Sequence, residues 1–202
     1  MDLAKENFLL WAIDCPEVCH LLLKKTTEAI IKRGQYLRKI DPRPITSYIV
    51  ADDFAELMSA EMYRKFCVPY DNKIYEIFGA GIKDGRAFHN CGNCTHLIDT
   101  FIDDLKITSF LLFGHPVKPE IVAEKMGSKV RVWGNLNCTN LLKGDKEKVY
   151  EESMRCLKAF GSHTGYILGD GANIAPGTPL ENLKVVLKAA QDFGPVPNRY
   201  IN

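Results

Sequence analysis

Five short apolar stretches, each ending in polar or glycine-rich residues and each followed by a helical pattern, limit what this chain can fold into. They are "ITSYIVADD" (45–53), "GRAFHNC" (85–91), "ITSFLLFG" (107–114), "KVRVWGNLN" (129–137) and "GYILGDG" (165–171). Strands that recur roughly every thirty residues, with helices between them, predict an α/β protein built on a parallel sheet. Right-handed crossovers then bring the C-terminal ends of all the strands to one side. That side collects Asp52 and Asp53, the run from His89 to Cys94, Gly114 and His115, Asn135 to Cys138, and Asp170 to Asn173. Convergent polar groups at strand ends are how active sites are assembled on barrels and open α/β sheets.

The helices between these strands have readable limits. From Pro16 to Ile40 the apolar residues Val18, Leu21, Leu22, Ala29, Ile30 and Leu37 keep a helical spacing, with Pro16 in the first turn. Ser59 opens a helix reaching to about Phe78 and kinked at Pro69, which has no backbone N–H to donate. Further helices are expected over 95–105, from about Lys118 to a stop at Gly127, and over 146–160. The last begins with Thr178 as N-cap and Pro179 in the first turn, and Gly194 lies just past its end. The N-terminal "MDLAKENFLLWAIDC" has acidic residues on both sides of a short apolar core and no basic start, so it reads as a helix of the fold rather than an export signal.

Composition removes several classes of function. The 202 residues suffice for one domain with a full core, and 46% hydrophobic with 25% charged residues is an ordinary globular balance. A formal net charge of +1 excludes strong nonspecific attraction to nucleic acid or anionic lipid. Every apolar run is broken within about ten residues, too short to span a membrane. The expectation is a cytoplasmic protein that binds neither nucleic acid nor membrane. Seven cysteines are an odd number without disulfide-scaffold spacing. Cys15, Cys19, Cys67 and Cys156 fall in helical patterns as small buried apolar residues, whereas Cys91, Cys94 and Cys138 fall at strand ends.

"HNCGNCT", "VWGNLN" and "GYILGDGANIAPGTPLENLKVVLKAAQDFG" resemble the uroporphyrinogen decarboxylase superfamily, which also contains the cobalamin-dependent methyltransferases. "LMSAEMYRKFCVPYDNKIYEIF" looks like the family helix after its fourth strand, and the similarity runs from about Asn7 to Gly194. The resemblance implies a (β/α)8 TIM barrel, of which this chain carries about five parallel strands, the fourth to the eighth. Residues 1–202 then form a single domain lacking the family's N-terminal βα units. A homo-oligomer, or a chain supplying the missing barrel units, is the expected partner.

The resemblance also divides the chemistry. Decarboxylases of the family tend to carry a histidine in the last loop where this chain has Ala172, whereas the methyltransferases' His-x-Cys is kept as His89-Asn90-Cys91. Residues i and i+2 of a strand share a face, so His89 and Cys91 aim together into the mouth, and an imidazole with a thiolate suits zinc. Related methyltransferases take a third ligand, a cysteine, from the last loop, and no cysteine follows Cys156 here. Cys94, reached by a turn at Gly92, is the expected third ligand, with Cys138 or Asp170 as alternatives. A pair retained without metal is the other reading of His89 and Cys91; disulfide exchange between Cys91 and Cys94 fits poorly outside a thioredoxin-like unit.

Around this pair Asp53, Asn135 and Asp170 are the expected catalytic residues, and Asn93, Asn173 and Asp52 the expected substrate contacts. The two asparagines that match family loop positions, Asn93 and Asn135, serve equally as loop caps. Asp52 and Asp53 alternate in direction, so only one of them can face the mouth. His20, His96 and His163 are expected to be structural, and His115 stays open. The resemblance implies methyl transfer between a small methylated substrate or thiol and the cobalt of a corrinoid carried by a partner protein. Tetrapyrrole decarboxylation is the alternative, and an inactive or split-barrel subunit a third. A mouth with carboxylates and no evident arginine suits a polyanionic tetrapyrrole poorly.

Overall fold

A computed structural model describes residues 5–41, 43–161, 163 and 165–194. The first four residues of the expected N-terminal helix lie outside it. Helix α1 (Lys5–Asp14) leads into α2 (Pro16–Ile40), which begins at Pro16 as expected and buries Cys19, Thr27 and Ile31. Strand β1 (Ser47–Ala51) follows, then a 3-10 turn over Asp53–Leu57. The expected kinked helix is two helices, α3 (Ala60–Phe66) and α4 (Val68–Phe78), broken at Cys67 with Pro69 in the first turn of α4. Proline cannot donate a backbone bond and is at ease in a first turn, so the kink becomes a restart. Ser59 caps α3, its hydroxyl accepting the Met62 N–H at 3.1 Å.

The remaining order is β2 (Asp84–His89), a 3-10 turn over Thr95–Leu97, α5 (Ile98–Asp103), β3 (Ser109–Phe113), α6 (Pro119–Met126) and β4 (Arg131–Leu136). Then come α7 (Cys138–Lys143), α8 (Lys146–Phe160), β5 (Tyr166–Asp170) and α9 (Leu180–Phe193). Two helix ends differ from the sequence reading. Cys138 does not hang from a strand end but opens α7, capped by the Asn137 side chain on the Thr139 N–H at 2.8 Å. At α9, Pro179 rather than Thr178 is the cap, and the Thr178 hydroxyl donates back to the Ala175 carbonyl at 2.7 Å. Gly194 does end α9, at φ +87°, a left-handed conformation natural to glycine.

All five strands pair in parallel in the order β1-β2-β3-β4-β5. This is the expected α/β sheet. One row across it is Phe88, Phe110, Val132 and Tyr166, directed at the helices. Phe88, Phe110 and Val132 are buried and join Phe101 and Phe113 in the main core. Phe88 and Phe101 have ring centroids 4.5 Å apart, and Phe160 stacks on Tyr166 at 4.1 Å. The adjacent row is Ala51, His89, Leu111, Trp133 and Ile167. It belongs to the opposite face, where Ile49 is 53% exposed, Ile167 44% and Trp133 36%. Parallel sheets are ordinarily covered on both faces; here the helices cover one, and His89 ends β2 on the other. Among the described residues no helix is long and apolar enough to cross a membrane.

Candidate metal centre and its surroundings

The chain leaves β1 through two carboxylates that part company. Asp52 turns toward the helices, where it is partly buried and its Oδ1 accepts the Phe54 N–H at 3.0 Å, capping the 3-10 turn. Burial pushes its carboxyl above the usual carboxylate range. Asp52, expected as a substrate contact, serves here as the cap of that turn. Asp53, the first residue of the 3-10 turn, lies on the other side, beside the end of β2. The structure brings together Asp53, His89 and Cys91, whose ligand atoms all lie within 4.8 Å of one another.

Each of the three is held by its neighbours. The His89 Nδ1–H donates to the Leu111 carbonyl at 2.9 Å, which turns Nε2 toward Asp53 Oδ1, 3.6 Å away. That backbone bond settles which nitrogen is presented, a frequent device at histidine ligands. Asp53 Oδ1 also accepts the Cys91 N–H at 3.0 Å and the Cys91 thiol at 3.1 Å. An imidazole lone pair facing a carboxylate oxygen at this distance repels it unless a proton or a cation lies between them. Burial first, and then the Asp53 carboxylate, push the Cys91 thiol up to about 11. One nitrogen, one sulfur and one oxygen donor converge on a single point, a set that zinc accepts.

Cys94, the expected third ligand, is outside this group. It is fully buried in the main core with Phe88 and Leu97. The turn at Gly92 does bend the chain back, the Cys94 N–H donating to the Gly92 carbonyl at 3.2 Å. It delivers the side chain to the helix side, however, ahead of the Thr95–Leu97 turn. Burial there pushes its thiol up to about 12. Cys138 is also outside the group, its thiol 3.9 Å from the Leu136 carbonyl at the start of α7.

Asn135 is buried, and its amide is already used. Its Nδ2 donates to the Val117 carbonyl at 2.6 Å and the Gly114 carbonyl at 3.2 Å, and its Oδ1 lies 3.6 Å from the Cys156 thiol. It braces the loop after β3, with both donor bonds spent on backbone carbonyls. Asn93 is exposed, its Oδ1 accepting the Thr95 hydroxyl at 2.8 Å as a loop cap does. Asp170 ends β5 partly buried and paired in register with Leu136; Asn173 is exposed in the loop beyond. His115 is exposed at the start of the loop after β3. His20 and His96 are structural, held against the Tyr70 hydroxyl at 3.0 Å and the Met58 carbonyl at 2.8 Å.

Two residues escaped the sequence reading. Asn90, between the two ligand positions, is fully buried; its Nδ2 donates to the Asp52 carbonyl at 2.7 Å, tying the end of β1 to that of β2. Glu56 accepts the Asn93 N–H at 2.8 Å. The Asp53-x-x-Glu56 spacing within a 3-10 turn, which eclipses residues three apart, was the available signal for Glu56.

Behind the mouth, Asp71 of α4 accepts the hydroxyl of fully buried Tyr63 at 3.1 Å. Burial, then the negative charge of Asp52, push its carboxyl up to about 7. A carboxyl raised in the folded state binds its proton more tightly there than in the unfolded chain. Stability is therefore highest below the unfolded value of about 4, falls as pH rises toward 7, and is flat above. Asp71→Asn, which keeps an acceptor for Tyr63, is expected to stabilise the protein at pH 8 by on the order of 1–2 kcal/mol, with little effect at pH 4. Thermal melts at the two pH values check this; an equal shift at both would discount the carboxyl.

The family profile described as Uroporphyrinogen decarboxylase (URO-D) matches residues 4–193. Among curated proteins, a uroporphyrinogen decarboxylase of Chlorobium limicola is 29% identical over 182 residues, covering 88% of this chain and 50% of that protein. A methylated-thiol–coenzyme M methyltransferase of Methanosarcina mazei is 26% identical over 195 residues, covering 95% of this chain and 49% of that one. Among solved structures, a methyltransferase from Methanosarcina mazei superposes with a TM-score of 0.73 at 24% identity, over 94% of this chain and 54% of that one. The chain thus spans about half the length of the relatives it matches. With a match over nearly its whole length, and five parallel strands in sequential order, the chain belongs to the uroporphyrinogen decarboxylase family.

Proposed function

We propose that this protein takes part in corrinoid-linked methyl transfer, with zinc held by Asp53, His89 and Cys91. The observation that carries the reading is the convergence of three different donor atoms within 4.8 Å, with the His89 Nε2 aimed by its partner bond to Leu111. Bound zinc would supply Lewis acidity toward a thiol, ether or amine carrying, or receiving, the methyl group. The chain's own part is to hold and orient that small molecule at the strand ends. Asp170 and Asn173, on the loop side of β5, are the proposed further contacts with it. The corrinoid resides on a partner protein, and further βα units complete the barrel mouth.

Similarity to a methyltransferase supports this class, and similarity to decarboxylases supports the second reading, tetrapyrrole decarboxylation. The side chains favour the first. Arg86 is committed to Asn72 and the Leu105 carbonyl, both at 2.7 Å, and Arg131 to Asp84 at 3.1 Å, at the start of β2 rather than its end. Neither is placed for a substrate's carboxylates at the mouth, where Asp53 and Glu56 add negative charge. With cob(I)alamin and candidate methyl donors, the expected result is the absorption change of methylated cobalt, and no turnover of uroporphyrinogen. Decarboxylation of uroporphyrinogen at an enzymatic rate would reverse the order of the two readings.

A further inference from the structure

The loop that carries Cys91 is gripped from the 3-10 turn at two points. Asp53 and Glu56 are three residues apart in that turn, so their side chains share one side of it. Asp53 Oδ1 takes the Cys91 N–H at 3.0 Å, and Glu56 Oε2 takes the Asn93 N–H at 2.8 Å. Between the two points lies Gly92, where a Cβ would stand 2.2 Å from Glu56 Oε2 and 2.3 Å from its Cδ. A side chain there would push the flexible Glu56 carboxylate aside, whereas glycine lets it close over the backbone. The Gly92 N–H itself donates to Asn90 Oδ1 at 3.0 Å, which secures the strand side of the loop. On the far side of Cys91 the grip is Glu56.

We propose that Glu56 is a positioning residue for Cys91: its carboxylate, closed over Gly92 onto the Asn93 N–H, keeps the thiol beside Asp53 and His89. The metal part of this proposal rests on the zinc reading above; the positioning part does not. A hydrogen bond from a backbone N–H to a carboxylate is among the stronger kinds in a protein. Partners that orient a metal ligand, without touching the metal, commonly change affinity about 10–100-fold when removed.

The test uses the full chain as wild type, Glu56→Ala, Glu56→Gln and Gly92→Ala. Glu56→Ala removes both charge and acceptor, whereas Glu56→Gln removes only the charge, so the two variants separate position from electrostatics. Gly92→Ala reaches the same bond from the other side, its methyl displacing the carboxylate. In the metal-free chain, Asn93 amide exchange is expected to accelerate about tenfold or more in Glu56→Ala and Gly92→Ala, and to stay near wild type in Glu56→Gln. Alkylation of Cys91 by iodoacetamide, followed by peptide mapping, is expected to rise in the same two variants. Titration with Co(II), read by its thiolate charge-transfer band, should weaken about tenfold or more in those two, with Glu56→Gln close to wild type. Unchanged Cys91 alkylation and Co(II) affinity in Glu56→Ala would overturn the proposal. So would Glu56→Gln as damaging as Glu56→Ala, since the role would then be charge. If wild type takes up no Co(II), the metal reading falls, and Glu56 stands or falls on Asn93 exchange and Cys91 alkylation.

Discussion

Cys91→Ala is expected to take the protein from about one bound zinc per chain to nearly none, with the fold retained. Three protein ligands define the proposed centre, and the thiolate is the one whose loss leaves only an imidazole and an exposed carboxylate. Cys91 lies beyond the last residue of β2, is only partly buried, and its thiol is bonded to Asp53 rather than packed in the core. Its removal therefore disturbs no apolar contact of consequence. Cys94→Ala is expected to do the opposite: zinc is kept, and stability falls by roughly 1 kcal/mol as a fully buried sulfur leaves a small void. Metal analysis of dialysed protein, paired with thermal melts, distinguishes the two variants in one experiment. Wild-type protein prepared without chelators, correctly folded and free of metal, would sink the zinc reading; so would Cys91→Ala with undiminished zinc.

A second large effect is expected in solution: the chain by itself self-associates, or pairs with further βα units, and has little activity alone. Among the described residues, β1 and β5 are the outer strands of the sheet, and each leaves a row of backbone donors and acceptors without a neighbouring strand. Such edges recruit partners or aggregate. The inner face adds to the drive, since Ile49, Trp133 and Ile167 are each more than a third exposed and lie on a face that parallel sheets bury. Ile49 and Ile167 belong to the two edge strands themselves. Light scattering after gel filtration should report a mass above one chain, and Ile49→Lys with Ile167→Lys should lower it. A monomer with full methyl-transfer activity would show that five strands suffice.

The order of elements was legible because periodicity and capping are local properties. Apolar runs bounded by glycine and polar residues placed all five strands within a few residues, and Ser59, Gly127 and Gly194 mark helix ends in the structure as they do in the sequence. Pro69 announced an interruption, and in the structure the helix restarts there, with Pro69 in the first turn of α4. The sequential parallel order brings the ends of β1 and β2 together, so the neighbourhood of Asp53, His89 and Cys91 was also legible in outline.

Which atoms meet there was not. Past the end of a strand the alternation of faces stops, and a side chain's direction is set by the turn and by what the turn packs against. Gly92 bends the loop as the sequence suggests, yet Cys94 enters the apolar core while Asp53, from the neighbouring strand end, takes its place beside His89 and Cys91. Asn135 has the chemistry of a catalytic amide, but two backbone carbonyls of the loop after β3 occupy its donors. From residue types alone the chain specifies a parallel α/β sheet with a polar mouth containing histidine, cysteine and carboxylates. The choice among those carboxylates and thiols comes from tertiary packing, because burial decides which group can remain ionised and hydrogen bonding decides where it points.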